Sequence, residues 1–435
     1  MNNTVTVVGA GLAGSEAAWQ LAKRGFNVRL YEMKPACFSP AHTSEGFAEL
    51  VCSNSLKAEY LSSASGLLKA EMRMLDSLIL KAADASRLPA GGALAVDRDL
   101  FSGYVTHALS EMPNVEILRQ RVDEIPEAPV IIATGPLTDD RLMARIQALD
   151  GFSDLHFFDA EAPIVTADSL DMSKVFAASR YGRGEDDYLN CPLTESEYNA
   201  FYDALINAET ADVHDFDKSM VFEGCIAVEI LASRGRQTLA YGPMKPVGLT
   251  DPNTGRMPYA VVQLRRDNMA GSLYNLVGFQ TRLKFGEQKR VFSMIPGLEH
   301  AEFVRYGVMH KNTYLNSPDV LDINYGLKAN PLIRFAGQMT GVEGYMESAA
   351  SGLVAAIGLS KRLTGESEPD LGEMTLLGAL SKYVTVKQKD FQPMNANFGL
   401  LPPYEKRIRN KKERYEAIAQ RSLHALADII NTQRL

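Results

Sequence analysis

The fold is decided by the stretch Val5-Thr6-Val7-Val8-Gly9-Ala10-Gly11-Leu12-Ala13-Gly14, close to the N-terminus. Its first four residues predict a buried parallel strand, and Ser15 to Arg24, apolar along one side, predict a helix. Val28 to Glu32 then predict a second strand. The three elements form a βαβ unit of the length that a Rossmann dinucleotide-binding motif requires. The sequence therefore predicts an α/β fold that begins with a Rossmann-like domain.

The glycines of this stretch indicate a ligand. Glycine at positions 9, 11 and 14 permits a tight turn, close approach of the backbone to a pyrophosphate, and close packing of the helix on the strand. Glu32, 18 residues after Gly14, is placed to accept hydrogen bonds from a ribose. The alternative is a purely structural glycine turn, but the strand, the helix and the acid together favour a dinucleotide. The predicted contacts are Gly9, Ala10, Gly11, Leu12, Ala13, Gly14 and Glu32.

Strand and helix patterns alternate up to about residue 160. Helices are predicted over 65–83 and 96–109, and strands over 115–118 and 130–135. Between 161 and 315 the sequence changes to short polar and aromatic segments with many turns, including hairpin patterns at 259–264 and 273–278, which favours an inserted α+β domain. A strand at 333–337 and a helix at 348–363 return to the first pattern. We therefore predict one domain from 1–160 and 316–435, with C-terminal helices, and an insertion over 161–315.

A second glycine-rich segment favours FAD over NAD. A strand ending at Phe335 is followed by glycine-rich loops and a helix of small residues that begins near Ser348. Such a helix start can bring backbone N–H groups to a flavin ring or ribityl chain, although an ordinary strand-loop-helix connection has the same pattern. The additional predicted cofactor contacts are Gly337, Gln338, Gly341, Val342, Glu343 and Gly344.

The composition is that of a globular protein, with 46% hydrophobic and 23% charged residues among 435. No apolar run approaches the roughly 18 residues of a membrane helix, and the N-terminus lacks a basic secretory region, so we expect a cytoplasmic protein without a membrane partner. The four cysteines form no C-x-x-C pair, which argues against a zinc site and a disulfide framework. A net charge of -8 means that a nucleic acid would need a local basic surface.

Two cysteines are candidates for catalysis. Cys52 lies in a polar loop before a predicted helix, and Cys225 lies in Phe222-Glu223-Gly224-Cys225. A thiolate near a helix start or a basic group is a strong nucleophile. Each cysteine could equally be a small buried hydrophobic residue, and the residues alone leave the two possibilities open.

Two groups of basic residues could contact phosphates. One surrounds Phe285, and the other lies near the C-terminus beside Tyr404; either aromatic ring could stack on a base. A charge run is also commonly a solvated helix face. The residues are Arg282, Lys284, Lys289 and Arg290 in the first group, and Lys406, Arg407, Arg409, Lys411, Lys412 and Arg414 in the second.

Taken together, these segments resemble the folate- and FAD-dependent tRNA (uracil-5-)methyltransferases, short relatives of the glucose-inhibited division protein A family. The resemblance runs from Val5 to about Arg414. The segments that carry it are Val-Gly-Ala-Gly-Leu-Ala-Gly-Ser-Glu-Ala-Ala from Val8, Glu-Leu-Val-Cys-Ser-Asn-Ser-Leu from Glu49, Ala-Val-Asp-Arg from Ala95, Ala-Thr-Gly-Pro from Ala133, Phe-Glu-Gly-Cys from Phe222, Tyr-Gly-Pro-Met-Lys-Pro-Val-Gly-Leu from Tyr241 and Ala-Gly-Gln-Met-Thr-Gly-Val-Glu-Gly-Tyr from Ala336.

The resemblance implies a reaction and a set of roles. Reduced FAD would take a one-carbon unit from 5,10-methylenetetrahydrofolate and deliver it to C5 of the T-loop uridine of tRNA, with NADH or NADPH as reductant. Cys52 and Cys225 would be the nucleophile and the base, in an order that the sequence leaves open. Lys245, Arg282 and Lys284 would contact folate or the tRNA backbone, and Lys406, Arg407 and Arg409 would contact RNA, unless they are surface charges.

Three other functions are also compatible with the sequence. A homologue could act on a uridine of ribosomal RNA with the same cofactors. A plain FAD-dependent oxidoreductase of a small metabolite, or a non-enzymatic flavoprotein or RNA-binding module, would leave the cysteines structural. The larger relatives that work with a partner GTPase have a C-terminal extension, so we expect no obligatory protein partner here.

Overall fold

Two six-stranded sheets organise the chain in the computed structural model, which describes residues 3–149, 152, 154–182, 185–211, 226–388 and 391–435. In these ranges the strands are β1 (Thr4–Val8), β2 (Asn27–Tyr31), β3 (Ser55–Ala58), β4 (Arg87–Leu88), β5 (Ala93–Val96), β6 (Val115–Leu118), β7 (Val130–Ile132), β8 (Asp154–Ala160), β9 (Ile164–Thr166), β10 (Phe176–Ala177), β11 (Tyr188–Leu193), β12 (Ala260–Arg266), β13 (Leu273–Leu276), β14 (Phe303–Arg305), β15 (Met309–Leu315), β16 (Gly326–Leu327) and β17 (Asn330–Phe335).

The helices range from one turn to about six turns in length. They are α1 (Leu12–Lys23), α2 (Ala64–Met74), α3 (Leu78–Ala85), α4 (Arg98–Ser110), α5 (Asp140–Gln147), α6 (Glu195–Ile206), α7 (Val228–Ala232), α8 (Thr238–Tyr241), α9 (Phe285–Phe292), α10 (Ser317–Val320), α11 (Tyr345–Leu363), α12 (Leu376–Thr385) and α13 (Lys411–Gln433). Within the described residues, no helix combines the length and the apolar character needed to cross a membrane.

The first sheet has the strand order β16-β17-β7-β1-β2-β6. Its pairs are parallel except the edge pair β16–β17. The central strand β1 buries Val5 and Val7 completely, as a strand covered on both faces should. The predicted α/β fold with a Rossmann-like first unit is confirmed.

The second sheet is antiparallel and has the order β10-β11-β12-β13-β9-β14. The hairpin patterns predicted near residues 260 and 275 form its adjacent strands β12 and β13. This sheet and α6 to α9 enclose a hydrophobic core of their own, separate from the core around the first sheet. The core of the second sheet runs from Val165 to Ala301, inside the predicted insertion, whereas Tyr314 and Leu315 belong to the core around the first sheet. The division into two domains stays a prediction, because it concerns independent folding units.

Two helix predictions need correction. The helix expected over 65–83 is two helices, α2 and α3, separated by Asp76, whose φ of 59° lies in the left-handed region. Ser77 then caps α3 by accepting from Leu80 N–H, and its hydroxyl donates to Glu16. The helix expected from Val96 begins at Arg98, because Val96 completes β5 and Asp97 is the N-cap. In both places the side chain of a short polar residue accepts hydrogen bonds from backbone N–H groups at the start of the helix.

The C-terminal helix α13 is tied to α2 by a buried carboxylate. Glu71 accepts hydrogen bonds from the N–H groups of Leu376 and Leu377, each at 2.8 Å, and from the hydroxyl of Ser422 on α13. Burial raises the pKa of Glu71 to about 7. One side chain therefore joins α2, α12 and α13, and it fixes where the basic segment before α13 leaves the core.

Candidate functional site

A cavity opens at the carboxyl ends of the parallel strands, where open α/β sheets bind ligands. It holds about 1380 Å³ of space counted out to its mouth, and its walls come from the residues that follow β1, β2, β6, β7 and β17. The predicted residues that line it are Gly9, Gly11, Leu12, Ala13, Glu32, Cys52, Gly337 and Gln338. Segments that are far apart in the sequence therefore meet at one site.

The N-terminal turn fits a dinucleotide. A Cβ added at Gly14 would lie 1.8 Å from the carbonyl oxygen of Gly9, so only glycine lets α1 pack this closely on the turn. At Gly11 an added Cβ would meet no protein atom within 4 Å, which leaves room for a ligand against the backbone. Glu32 lines the cavity and accepts from the N–H groups of Ala10 and Lys34, both at 3.0 Å. Each of its oxygens keeps a further acceptor position for a ribose hydroxyl.

The second glycine segment lies beside the first. A Cβ added at Gly337 would be 3.2 Å from that of Ala13, and one added at Gly352 would be 2.1 Å from the carbonyl oxygen of Ala13. The close approach of α1 and α11 brings the start of α11 to the cavity, which Tyr345 and Ser348 also line. The two segments together fit the two ends of a flavin dinucleotide.

Four predicted cofactor residues lie behind the cavity wall. Gly341 packs against the ring of Phe391, and Val342 is buried and bridges to Met394. Glu343 accepts a hydrogen bond of 2.6 Å from Gln338, and Gly344 precedes the first residue of α11. These contacts hold the loop in place, and direct contact of the four residues with a cofactor stays a prediction.

Cys52 is half-buried in the cavity wall, and its backbone is held by a tyrosine. The N–H groups of Cys52 and Ser53 both donate to the hydroxyl oxygen of Tyr345, at 2.7 and 3.0 Å. Burial raises the pKa of Tyr345, so the phenol stays protonated. The thiol of Cys52 is 3.7 Å from the carbonyl oxygen of Ala160. Sequence reasoning missed Tyr345 as a holder of Cys52, since nothing in the sequence joins positions 293 residues apart.

Two arginines, the half-buried Arg98 and the buried Arg265, lie under the cysteine loop. Arg98 donates to the carbonyl oxygens of Leu50 and Val51 and pairs with Asp267 at 3.1 Å. Burial opposes the charge of Arg98, but Asp267 raises its pKa above the ordinary value. Arg265 donates to Ser53 and Asn54, at 2.8 Å each, and burial lowers its pKa. The two guanidinium groups therefore hold the cysteine loop from the side of Asp267.

Cys225 lies outside the described residues. The described chain resumes at Ile226, and Ala227 is fully buried in a small cluster with Ala160. Ala160 is the residue whose carbonyl oxygen contacts the thiol of Cys52. The other cysteines contribute nothing to the lining of this cavity: Cys37 is half-buried elsewhere, and Cys191 is fully buried, which raises its pKa.

The cavity lining also includes an acid and a histidine that sequence reasoning missed. Glu161 follows β8, and His310 lies in β15; their side chains approach to 3.3 Å. Glu161 also pairs with Arg305 at 2.8 Å. Both residues lie close to the predicted domain boundaries at 160 and 315. This position in the sequence was the signal that could have identified them. Among the described residues, no cluster of His, Cys, Asp and Glu has the arrangement to hold a metal ion.

The predicted RNA- or folate-binding residues lie outside the cavity lining. Lys245 is exposed, and Arg282, which is half-buried, contacts Glu229. Lys284 pairs with Glu209 at 2.7 Å. Lys406, Arg407 and Arg409 are exposed in the segment before α13, without an ion pair or hydrogen bond to the described chain. Their binding roles stay predictions.

Comparison with known proteins assigns the family. The profile of the family described as glucose inhibited division protein A matches residues 4–367. The chain belongs to this family. The fold agrees, because two crystal forms of Aquifex aeolicus GidA superpose with TM-scores of 0.70 and 0.71, at 14% and 15% identity, over 98% of this chain and 73% and 76% of theirs.

Members of the family from several bacteria are much more similar in sequence. A protein of Lactobacillus acidophilus is 59% identical over 438 residues, and one of Lactiplantibacillus plantarum is 58% identical over 427 residues. One of Bacillus licheniformis is 57% identical over 433 residues. The alignments cover 100%, 98% and 99% of this chain and 100%, 96% and 100% of the relatives. Each relative is named Methylenetetrahydrofolate--tRNA-(uracil-5-)-methyltransferase TrmFO.

The α1–α11 contact predicts the effect of a larger side chain at Gly352. In Gly352→Val, the new Cβ would overlap the carbonyl of Ala13 and force the two glycine segments apart, at a cost of about 3 kcal/mol. We expect a lower melting temperature and loss of most of the bound flavin, measured by absorbance per polypeptide after gel filtration. Gly103→Val in α4 is the matched control, because its Cβ would meet nothing within 4 Å. Equal flavin content in the two variants would contradict this account of the contact.

Proposed function

We propose that this protein methylates C5 of a uracil in tRNA, using bound FAD and the one-carbon unit of 5,10-methylenetetrahydrofolate. The observation that carries the proposal is 57–59% identity over almost the whole chain to relatives whose name states this folate-dependent activity. The geometry supports it, because the glycine turn for a dinucleotide and the thiol of Cys52 line one cavity. A reaction at a uracil ring next to a flavin requires the flavin site and the thiol to share one cavity.

The chemistry requires two groups on the uracil. C5 of uracil is a poor nucleophile, and addition of a thiolate to C6 turns the ring into an enolate whose C5 can attack the activated one-carbon unit. A base must then take the proton from C5, after which the C6–S bond breaks and the thiolate is released. Reduced FAD, when bound, supplies the reducing equivalents for the methyl group, and NADH or NADPH renews them. The protein has to supply the thiolate and the base.

We assign these two roles to Cys52 and Cys225. Cys52 has a backbone held by Tyr345, and the guanidinium groups of Arg98 and Arg265 lie beneath its loop. Cys225 precedes Ala227 by two residues, a length of chain that spans at most about 7 Å. Ala227 packs against Ala160, whose carbonyl oxygen contacts the Cys52 thiol. The described chain that follows Cys225 therefore packs against the residue that contacts the Cys52 thiol, which supports the assignment.

The basic segment before α13 is the proposed contact for the tRNA backbone. Lys406, Arg407 and Arg409 are exposed and carry charges that the described protein leaves unpaired. The segment continues from 394–397, which packs on the loop beside Tyr345 through Met394 and Ala396. Phosphates held here would lie on the same part of the molecule as the cavity. The T-loop is the proposed target and the cytoplasm the proposed location.

Transfer of label tests the function directly. The protein is incubated with NADPH, unmodified tRNA and methylenetetrahydrofolate labelled in the one-carbon unit, and the RNA is digested to nucleosides. We expect label in 5-methyluridine from the T-loop. Label in ribosomal RNA and none in tRNA would assign the activity to a ribosomal target, and no label in either RNA would overturn the proposal.

The two cysteines are distinguished by single variants. Cys52→Ala and Cys225→Ala should each reduce methyl transfer by at least about 1000-fold, because each removes a group from the covalent cycle. The control is Cys37→Ala, a half-buried cysteine outside the cavity lining, which should keep wild-type activity. RNA containing 5-fluorouridine separates the roles, since the C5 fluorine cannot be removed as a proton. The base variant should still trap a covalent complex and the nucleophile variant should not.

Salt dependence tests the basic segment. Replacing Lys406, Arg407 and Arg409 together with alanine should weaken tRNA binding and lower the slope of log Kd against log salt by about 2, since each phosphate contact contributes about 0.7 to 0.9. Removing Lys174 and Lys382, which pair with acidic residues, is the matched control and should leave the slope unchanged. A slope equal to that of the wild type in the triple variant would remove this segment from the RNA contact.

A further inference from the structure

Three aromatic rings form a continuous stack on the surface of the second unit. The rings of Phe285 and Tyr306 are 4.8 Å apart with an interplanar angle of 18°, and those of Tyr306 and Phe303 are 5.3 Å apart at 9°. We call these three residues the aromatic ladder. Its inner end reaches the core, where Phe303 approaches the buried Phe292. The ladder is therefore fixed at one end.

The outer end of the ladder is open. Phe285 is 54% exposed, although Tyr306 covers one face of its ring. Most of the remaining exposure therefore belongs to the other face. An exposed phenylalanine ring with a supported inner face has the geometry of a stacking platform for a planar group.

The chain that carries the ladder contacts one wall of the cavity. Tyr306 stands between Arg305, which pairs with Glu161 at 2.8 Å, and Gly307, where an added Cβ would be 2.6 Å from the Glu161 carbonyl oxygen. Glu161 lines the cavity that contains Cys52. The ladder and this cavity wall are therefore supported by the same stretch of chain, 305–307.

The ladder also adjoins the two ends of the chain segment that contains Cys225. Ala211 N–H donates to Arg282 at 2.8 Å, and Val228 N–H donates to Gln280 at 2.7 Å. Phe285 follows this same stretch and begins α9. The described residues on either side of that segment therefore bind to the stretch 280–282, which lies just before Phe285.

One lysine beside the platform is available to a phosphate. Lys284 precedes α9, and Lys289 and Arg290 lie in its last turn. Lys284 is balanced by Glu209 and Arg290 by Glu287, whereas the side chain of Lys289 has no ion pair or hydrogen bond to the described residues. Glu299 and Glu302 line the same surface pocket as Lys289, and Glu299 is balanced by Lys174. Lys289 lies four residues after Phe285 on the same side of α9, so its ammonium group is available to a phosphate beside the ring.

We propose that the aromatic ladder stacks an unpaired nucleobase of the RNA substrate on Phe285, with Lys289 against the neighbouring phosphate. The inference rests on the proposed function and adds to it a contact for a nucleotide other than the methylated uridine. Unpaired loop bases are the usual targets of aromatic side chains in RNA recognition, because they can leave the stack of the RNA. An adjacent base held here would keep the target uridine turned into the cavity.

A binding experiment with the flavin-loaded enzyme tests the contact. Phe285→Ala should weaken binding of a T-arm RNA hairpin at least about tenfold, and Phe285→Trp should restore it, because stacking requires only a flat ring. Lys289→Ala should reduce the salt slope by about 0.7, the contribution of one single-strand phosphate. Tyr104→Ala in α4 removes an exposed ring elsewhere and should bind like the wild type.

Hairpins with one abasic position each identify the stacked base. One abasic position should weaken wild-type binding and leave Phe285→Ala unaffected, which a loss of stability in the variant could not produce. If Phe285→Ala binds within twofold of the wild type, or if every abasic hairpin weakens both proteins equally, the inference is wrong. A wild-type enzyme that still methylates tRNA in that case leaves the proposed function intact. An enzyme that binds the hairpin but transfers no label would contradict the function alone.

Discussion

The close packing of α1 against α11 is the constraint on which the site depends. Gly352 brings the backbone of α11 against Ala13, and Gly14 brings α1 against the turn at Gly9. Either contact would be lost with a single added carbon atom. Because the helices meet this closely, two loops from opposite ends of the chain form one cavity. The same contact places Tyr345, at the start of α11, where it can reach the cysteine loop.

Tyr345 connects the cofactor side of the cavity to the reactive thiol. Its hydroxyl oxygen receives two backbone N–H groups from the loop of Cys52, so the position of the sulfur depends on that of α11. Arg98 and Arg265 hold the loop from the other side through its carbonyl and side-chain oxygens. The thiol is thus positioned by groups from three parts of the chain. Such support from surrounding residues is what a site needs in order to hold reacting atoms in place.

The second unit supplies the walls that a plain dinucleotide-binding protein lacks. Glu161 and His310 come from the strands β8 and β15, or their ends, where the chain passes between the two sheets. Tyr306 of the aromatic ladder follows Arg305, which pairs with Glu161 in this wall. The second unit therefore adds a charged wall to the cavity and an exposed stacking ring to its own surface. These features suit a large substrate that presents one base, and the small cofactor alone does not require them.

The sequence alone determined the βαβ unit, the two glycine segments and the residue types at Glu32 and Cys52, because these depend on local periodicity and short spacings. The sequence pattern predicted a single helix over 65–83, whereas the structure has two helices divided at Asp76 and Ser77. A pair of polar residues within an apolar pattern does not show which backbone angles those residues adopt. Only the tertiary structure decided that Tyr345 holds Cys52, that Glu161 faces His310, and that Phe285 ends a stack of rings. Those contacts join residues up to 293 positions apart, and their geometry follows from how whole helices and sheets pack.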